Sequence, residues 1–203
     1  MFLGNFKRKV IYLNNMLPAH SDIAALLPCY TSTGDCTSLL TRDGTVRLLT
    51  LRVRTAIARL ARRQATDLLA LKQACSQNTR RTNLQPLPLS PELLLFPVKS
   101  RTPRVPGDTC IGYINYHAVT SVIPCAQNPA HATISLAGAH TITALWRAAT
   151  VTRYLQLSQL AAFAAPYTAG CMVREAAGQY QTDLTILHKM TELQEMLLKR
   201  QLR

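Results

Sequence analysis

The stretch Leu93–Val119, LLLFPVKSRTPRVPGDTCIGYINYHAV, constrains this chain most. It joins two strand-like apolar runs through a basic loop punctuated by Pro97, Pro103 and Pro106. A strand is expected over 92–98, because a short apolar run of this length reads as buried β-structure. The prolines fix φ, stiffen the loop and are expected to hold Lys99, Arg101 and Arg104 out to solvent. Gly107–Asp108 is a turn signal. From Cys110 the residues alternate. Ile111, Tyr113, Asn115, His117 and Val119 share one face, and Cys110, Gly112, Ile114, Tyr116 and Ala118 the other, which predicts a strand over 110–123. A basic loop between two core strands is well placed to grip a polyanion.

Upstream, Ile23–Thr50 reads as strands with turns at Thr33–Gly34–Asp35 and Asp43–Gly44. Val53–Cys75 reads as a helix, with Val53, Ile57, Leu60, Ala61, Leu68, Leu71 and Cys75 on one face at helical spacing. Arg52, Arg59 and Arg63 form a second stripe beside that face, flanked by Arg54 and Arg62. Val46–Thr66 holds six arginines and no acid. An ordinary solvated face mixes signs, so this one points to phosphates.

Charge supports the same partner. The net charge is +13, and from Arg42 to Arg104 there are 13 Lys and Arg against 3 acids. From Cys110 to Val173 only Arg147 and Arg153 are charged. Hydrophobic residues make up 48% of the chain, which excludes a disordered basic tail and leaves a folded protein with a polyanionic partner. The candidate contact residues are Arg47, Arg52, Arg54, Arg59, Arg62, Arg63, Lys99, Arg101 and Arg104.

The 93–119 stretch also carries a resemblance. Leu95–Phe96–Pro97, Ser100, Cys110, Tyr113–Ile114 and His117 are similar to the central signature of the ComK competence transcription factors. The similarity extends to Leu26–Leu27–Pro28, Asp43–Gly44, Ala61–Arg62–Arg63 and Trp146–Arg147–Ala148–Ala149. Val98 stands where that family has Thr, and Tyr113 where Trp is common. The resemblance implies a DNA-binding activator of DNA-uptake genes. Such proteins bind paired AT-rich boxes as multimers through the minor groove.

Other classes find little in the sequence. There is no phosphate-binding glycine loop, no dinucleotide fingerprint and no paired carboxylates. Cys110 and His117 have opposite parity on one strand, so they would face apart rather than form a catalytic pair. No enzyme, cofactor or metal is therefore expected. Aromatic residues are 6%, too few for a single-strand stacking platform. The alternative is an RNA- or ribosome-associated basic protein without regulatory role.

The expected fold is α+β: an antiparallel strand-rich core with the arginine-bearing helix, a second buried helix over 143–165 and a C-terminal helix over 183–200. A strand is expected at 132–137, and Asn78–Pro91 reads as a linker. Residues 1–20 read as an extension, 21–165 as the ComK-like DNA-binding domain, and 166–203 as a hinge with the last helix. The seam Ile186, Met190, Leu193, Leu197 is too short to be stable alone and must pack either on its own domain or on a second copy, a homo-oligomer on DNA. No run reaches the roughly 18 apolar residues of a spanning helix, and the N-terminus lacks a secretory core, so a cytoplasmic protein with six reduced cysteines is expected.

Overall fold

The computed structural model describes residues 10–12, 16–32 and 34–163. The chain divides into two compact units, Met1–Ala165 and Pro166–Arg203. Every described residue falls in the first. The expected hinge and the helix over 183–200 lie outside the described residues.

The elements run β1 (Val10–Tyr12), a 3-10 turn (His20–Asp22), β2 (Ile23–Thr31), β3 (Gly34–Thr41), β4 (Val46–Leu49), α1 (Val53–Arg63) and α2 (Leu68–Thr79). Then come β5 (Leu87–Ser90), β6 (Leu93–Lys99), β7 (Ile111–Asn115), a 3-10 turn (Tyr116–Ala118), β8 (Val119–Pro124), β9 (Ala132–Leu136), β10 (His140–Ala144) and α3 (Ala148–Ala162). The fold is α+β. Seven strands form one sheet in the order β1-β4-β3-β2-β7-β6-β5, and three form a second in the order β10-β9-β8. Within the large sheet β1 joins β4 in parallel, and the other pairings are antiparallel. The expected N-terminal extension thus contributes an edge strand.

The large sheet separates two apolar layers. On one face Ile23, Leu26, Leu39 and Leu49 pack with Val53, Ile57 and Leu60 of α1 and with Leu71 and Cys75 of α2. On the other, Ala24, Ala25, Leu40, Phe96 and Ile114 pack with Ile134 and Ile142 of the small sheet and with Val151 and Tyr154 of α3. A register shift between Ile23 and Ala25 lets two successive alanines face the same layer. Gly112 leaves room for the neighbouring strand, since a Cβ there would lie 2.7 Å from Leu27 Cδ2.

Four expectations need correction. The helix expected over 53–75 is two helices. Ala65 turns to φ +50°, and the Asp67 carboxylate caps α2 by accepting from the Leu69 N–H at 2.8 Å. The strand expected over 110–123 breaks after Asn115. That buried amide donates to the Ile23 and Glu92 carbonyls, each at 2.9 Å, and accepts from the His117 N–H at 3.2 Å. It thereby ties three segments together and turns the chain toward the small sheet. The expected linker contains β5, all four residues of which are buried. The second helix begins at Ala148, because 140–144 is a strand paired with β9.

Candidate nucleic-acid interface

Helix α1 buries one complete face, Val53, Ala56, Ile57, Leu60 and Ala61. Burial of that face turns Arg52, Arg54, Arg59, Arg62 and Arg63 to solvent. Arg62 and Arg63 lie in the last turn, where cations suit the helix dipole. Arg52 and Arg54 lie at the start, where acids are favoured, and no acid stands in that turn. Cations at the positive end of a helix work against helix stability and raise the local positive potential, which favours an anion from outside.

Arg63 is partly committed within the protein. Its Nη1 donates to the carbonyls of Leu17 at 2.9 Å and Pro18 at 2.8 Å, tying the segment before β2 to the end of α1. Arg59 and Arg62 are exposed side chains on the same helix.

The loop between β6 and β7 differs from the expectation that its prolines hold three cations outward. Lys99 and Arg101 are half-buried, and only Arg104 is exposed. Arg101 Nη2 bonds Asp35 Oδ1 at 2.5 Å, with the two side chains 12% and 11% exposed. Its Nε donates to the Thr109 carbonyl at 2.7 Å. The guanidiniums of Arg101 and Arg104 lie 3.8 Å and 4.2 Å from the Tyr30 ring centre. The Tyr30 hydroxyl donates to Asp108, which also accepts from the Arg104 and Val105 N–H groups at 3.0 Å and 3.1 Å. These donors hold the Asp108 carboxyl below the usual carboxylate range. Sequence reasoning saw the cations but missed the anions that hold them. Asp35 is remote in sequence from Arg101, and the β2–β3 hairpin brings it, with Tyr30, to the loop that carries Arg101, Arg104 and Asp108.

Register places the candidates at different ends of the large sheet. Lys99 pairs with Ile111, so the loop starts where β7 begins. Thr31 pairs with Gly34 at that end, and the connection from Leu49 to Arg52 leaves the sheet there as well, because Thr37 pairs with Leu49. Arg52, Arg54, Lys99, Arg101 and Arg104 therefore gather at one end. Arg47 lies toward the other end, opposite Leu39. It is half-buried, with its Nε buried and without a hydrogen-bond partner.

Other basic residues lie outside the expected set. Arg81 donates to the Tyr154 hydroxyl at 3.0 Å and lies 5.2 Å from that ring, which stacks on Trp146. Trp146 is half-buried and stacks on Tyr154 at the edge of the core. Arg42 Nη2 reaches the Glu92 carbonyl at 3.4 Å. Cys110 precedes β7 and His117 follows it in the 3-10 turn, so neither lies on the strand expected to carry both, and β7 separates them. Among the described residues no group of three or more His, Cys, Asp or Glu could hold a metal. No described helix is long and apolar enough to cross a membrane. No protein-family model, curated protein or solved structure matches the chain.

Proposed function

We propose that this protein binds double-stranded DNA along the arginine face of α1 and acts as a cytoplasmic transcriptional activator of DNA-uptake genes, as its resemblance to the ComK family implies. The observation that carries the reading is the exposure of four arginines on one acid-free helix, with Arg52 exposed at its N-cap, while the opposite face of the helix is buried. A row of guanidiniums carried on one helix suits phosphates and the narrow, strongly negative minor groove of AT-rich duplex. Arg104, at the end of the sheet where α1 begins, extends the basic surface. Arg101 and Arg63 support it by bracing the loop and the segment before β2. Reading paired boxes requires more than one copy on the DNA.

A gel-shift series tests this with AT-rich duplex, GC-rich duplex and structured RNA at two salt concentrations. AT-rich duplex is expected to bind tightest. Arg59→Ala with Arg62→Ala is expected to lower the slope of log K against log salt by about two units, one per lost phosphate contact. Wild-type affinity and slope in that variant would remove α1 as the contact surface. Equal, sequence-blind binding to A-form RNA would favour the ribosome-associated reading instead.

A further inference from the structure

Between α1, α2 and the large sheet lies a groove of about 510 Å³, within the size range of small-molecule sites. Its floor and walls are apolar: Val53, Ile57, Leu68, Leu87 and Ile111. Leu69, also on the lining, is 67% exposed. Two cations lie on the same lining, Arg54 from the first turn of α1 and Lys72 from the second turn of α2. Both are exposed. Thr109 and Tyr113 are the hydroxyl-bearing residues there, and no acid lines the groove. Asp67, next to Leu68, has its carboxylate engaged by the Leu69 N–H at 2.8 Å.

We propose that this groove binds a single-chain anionic amphiphile, such as a fatty-acid carboxylate, with its chain on the apolar floor and its head between Arg54 and Lys72. An apolar trough with cations only at its margin is complementary to a ligand with an apolar body and one negative end. A neutral lipid would leave both cations without a counterpart, and a bare phosphate would leave the apolar walls exposed. A cationic amphiphile would be repelled. The break between α1 and α2 creates the site, since a continuous helix would not set Leu68, Leu69 and Lys72 beside Ile57 around one hollow. This inference goes beyond DNA binding and does not depend on it. Arg54 belongs to both surfaces, so a bound amphiphile would compete with duplex there.

The test is calorimetry on the full chain, without DNA, using decanoate below its micelle concentration and decyltrimethylammonium as the control. Decanoate is expected to bind once per chain, and the cationic control not at all. Arg54→Gln with Lys72→Gln is expected to weaken decanoate about tenfold. Leu69→Asp, at an exposed position that leaves the core intact, is expected to weaken it at least as much. Equal binding of both amphiphiles, several molecules per chain, or wild-type affinity in both variants would overturn the proposal. So would binding to phosphatidylglycerol vesicles with no binding of monomeric decanoate, because the surface would then recognise a bilayer.

Discussion

Gly138 and Gly44 meet backbone to backbone: a Cβ on Gly138 would lie 2.6 Å from the Gly44 nitrogen. The same Cβ would lie 2.8 Å from the Arg42 oxygen and 2.9 Å from the Thr41 oxygen. The β9–β10 turn of the small sheet therefore docks directly on the β3–β4 turn of the large one. His140 continues the contact, with Nε2 2.8 Å from the Thr41 carbonyl. The clashing atoms are backbone and cannot rotate away. Gly138→Ala adds a left-handed strain at φ +77° and is expected to cost about 2–4 kcal/mol. Gly107→Ala, at φ +89° but with nothing within 4 Å, is expected to cost only about 1 kcal/mol. Chemical denaturation of the two variants checks the difference.

Arg101 and Arg104 flank the same tyrosine yet should fail differently. Arg101→Ala leaves the Asp35 carboxylate, 11% exposed, without its guanidinium. It is expected to cost about 2 kcal/mol of stability and to raise amide exchange across the loop over 101–108. Arg104→Ala is expected to keep wild-type melting and to weaken duplex binding modestly. The reverse pattern would mean that the loop is held by something other than the Asp35 pair.

Stability should fall with acid near His20. This side chain is 5% exposed, with Nδ1 3.0 Å from Ser90 Oγ. Burial, and then the nearby Arg63, push its pKa below the ordinary 6.5. The folded state thus disfavours the proton. The stability contribution is complete above the unfolded value and is lost as pH falls through the lower folded one. His117 shifts the same way, through burial and Arg42. Melting temperature is expected to drop between about pH 7 and pH 5, and less steeply in His20→Gln. An identical pH slope in that variant would assign the loss to other groups.

Thiol reactivity should be ordered by environment. Burial pushes Cys29 and Cys75 up to about 11. Cys125 is held below its usual range by the backbone N–H groups of Gln127 and Asn128. Iodoacetamide at about pH 8 is expected to reach Cys125 well before those two, because the thiolate is the nucleophile. Peptide mapping by mass reads the order. Rapid alkylation also tests reduction in the cell. Cys29 and Cys36 stand directly opposite in the β2–β3 ladder, so a native bridge there would overturn the reduced, cytoplasmic reading.

The elements legible in the sequence were those with a strong local period. The buried face of α1 follows from Val53, Ile57 and Leu60, and its exposed arginines follow from the same spacing. β2 and β6 announce themselves as short apolar runs, β9 as an apolar–polar alternation, and β3 through the turn signals on either side of it. Missed or misplaced were features whose cause is remote. β5 hides in a proline-rich stretch because only pairing with β6 makes Leu87–Ser90 a strand. The break after Asn115 depends on carbonyls of Ile23 and Glu92, which no alternation pattern can register.

The sequence by itself determined the α+β class, the cationic third of the chain and the side of α1 that faces water, because periodicity and charge are properties of neighbouring residues. Tertiary structure alone decided which cations remain available. Arg101 is neutralised by an aspartate across the β2–β3 hairpin, Arg63 is shared with two backbone carbonyls, and Arg54 is set beside Lys72 over an apolar groove. Long-range pairing, not residue type, separates a bracing arginine from one free to meet a partner.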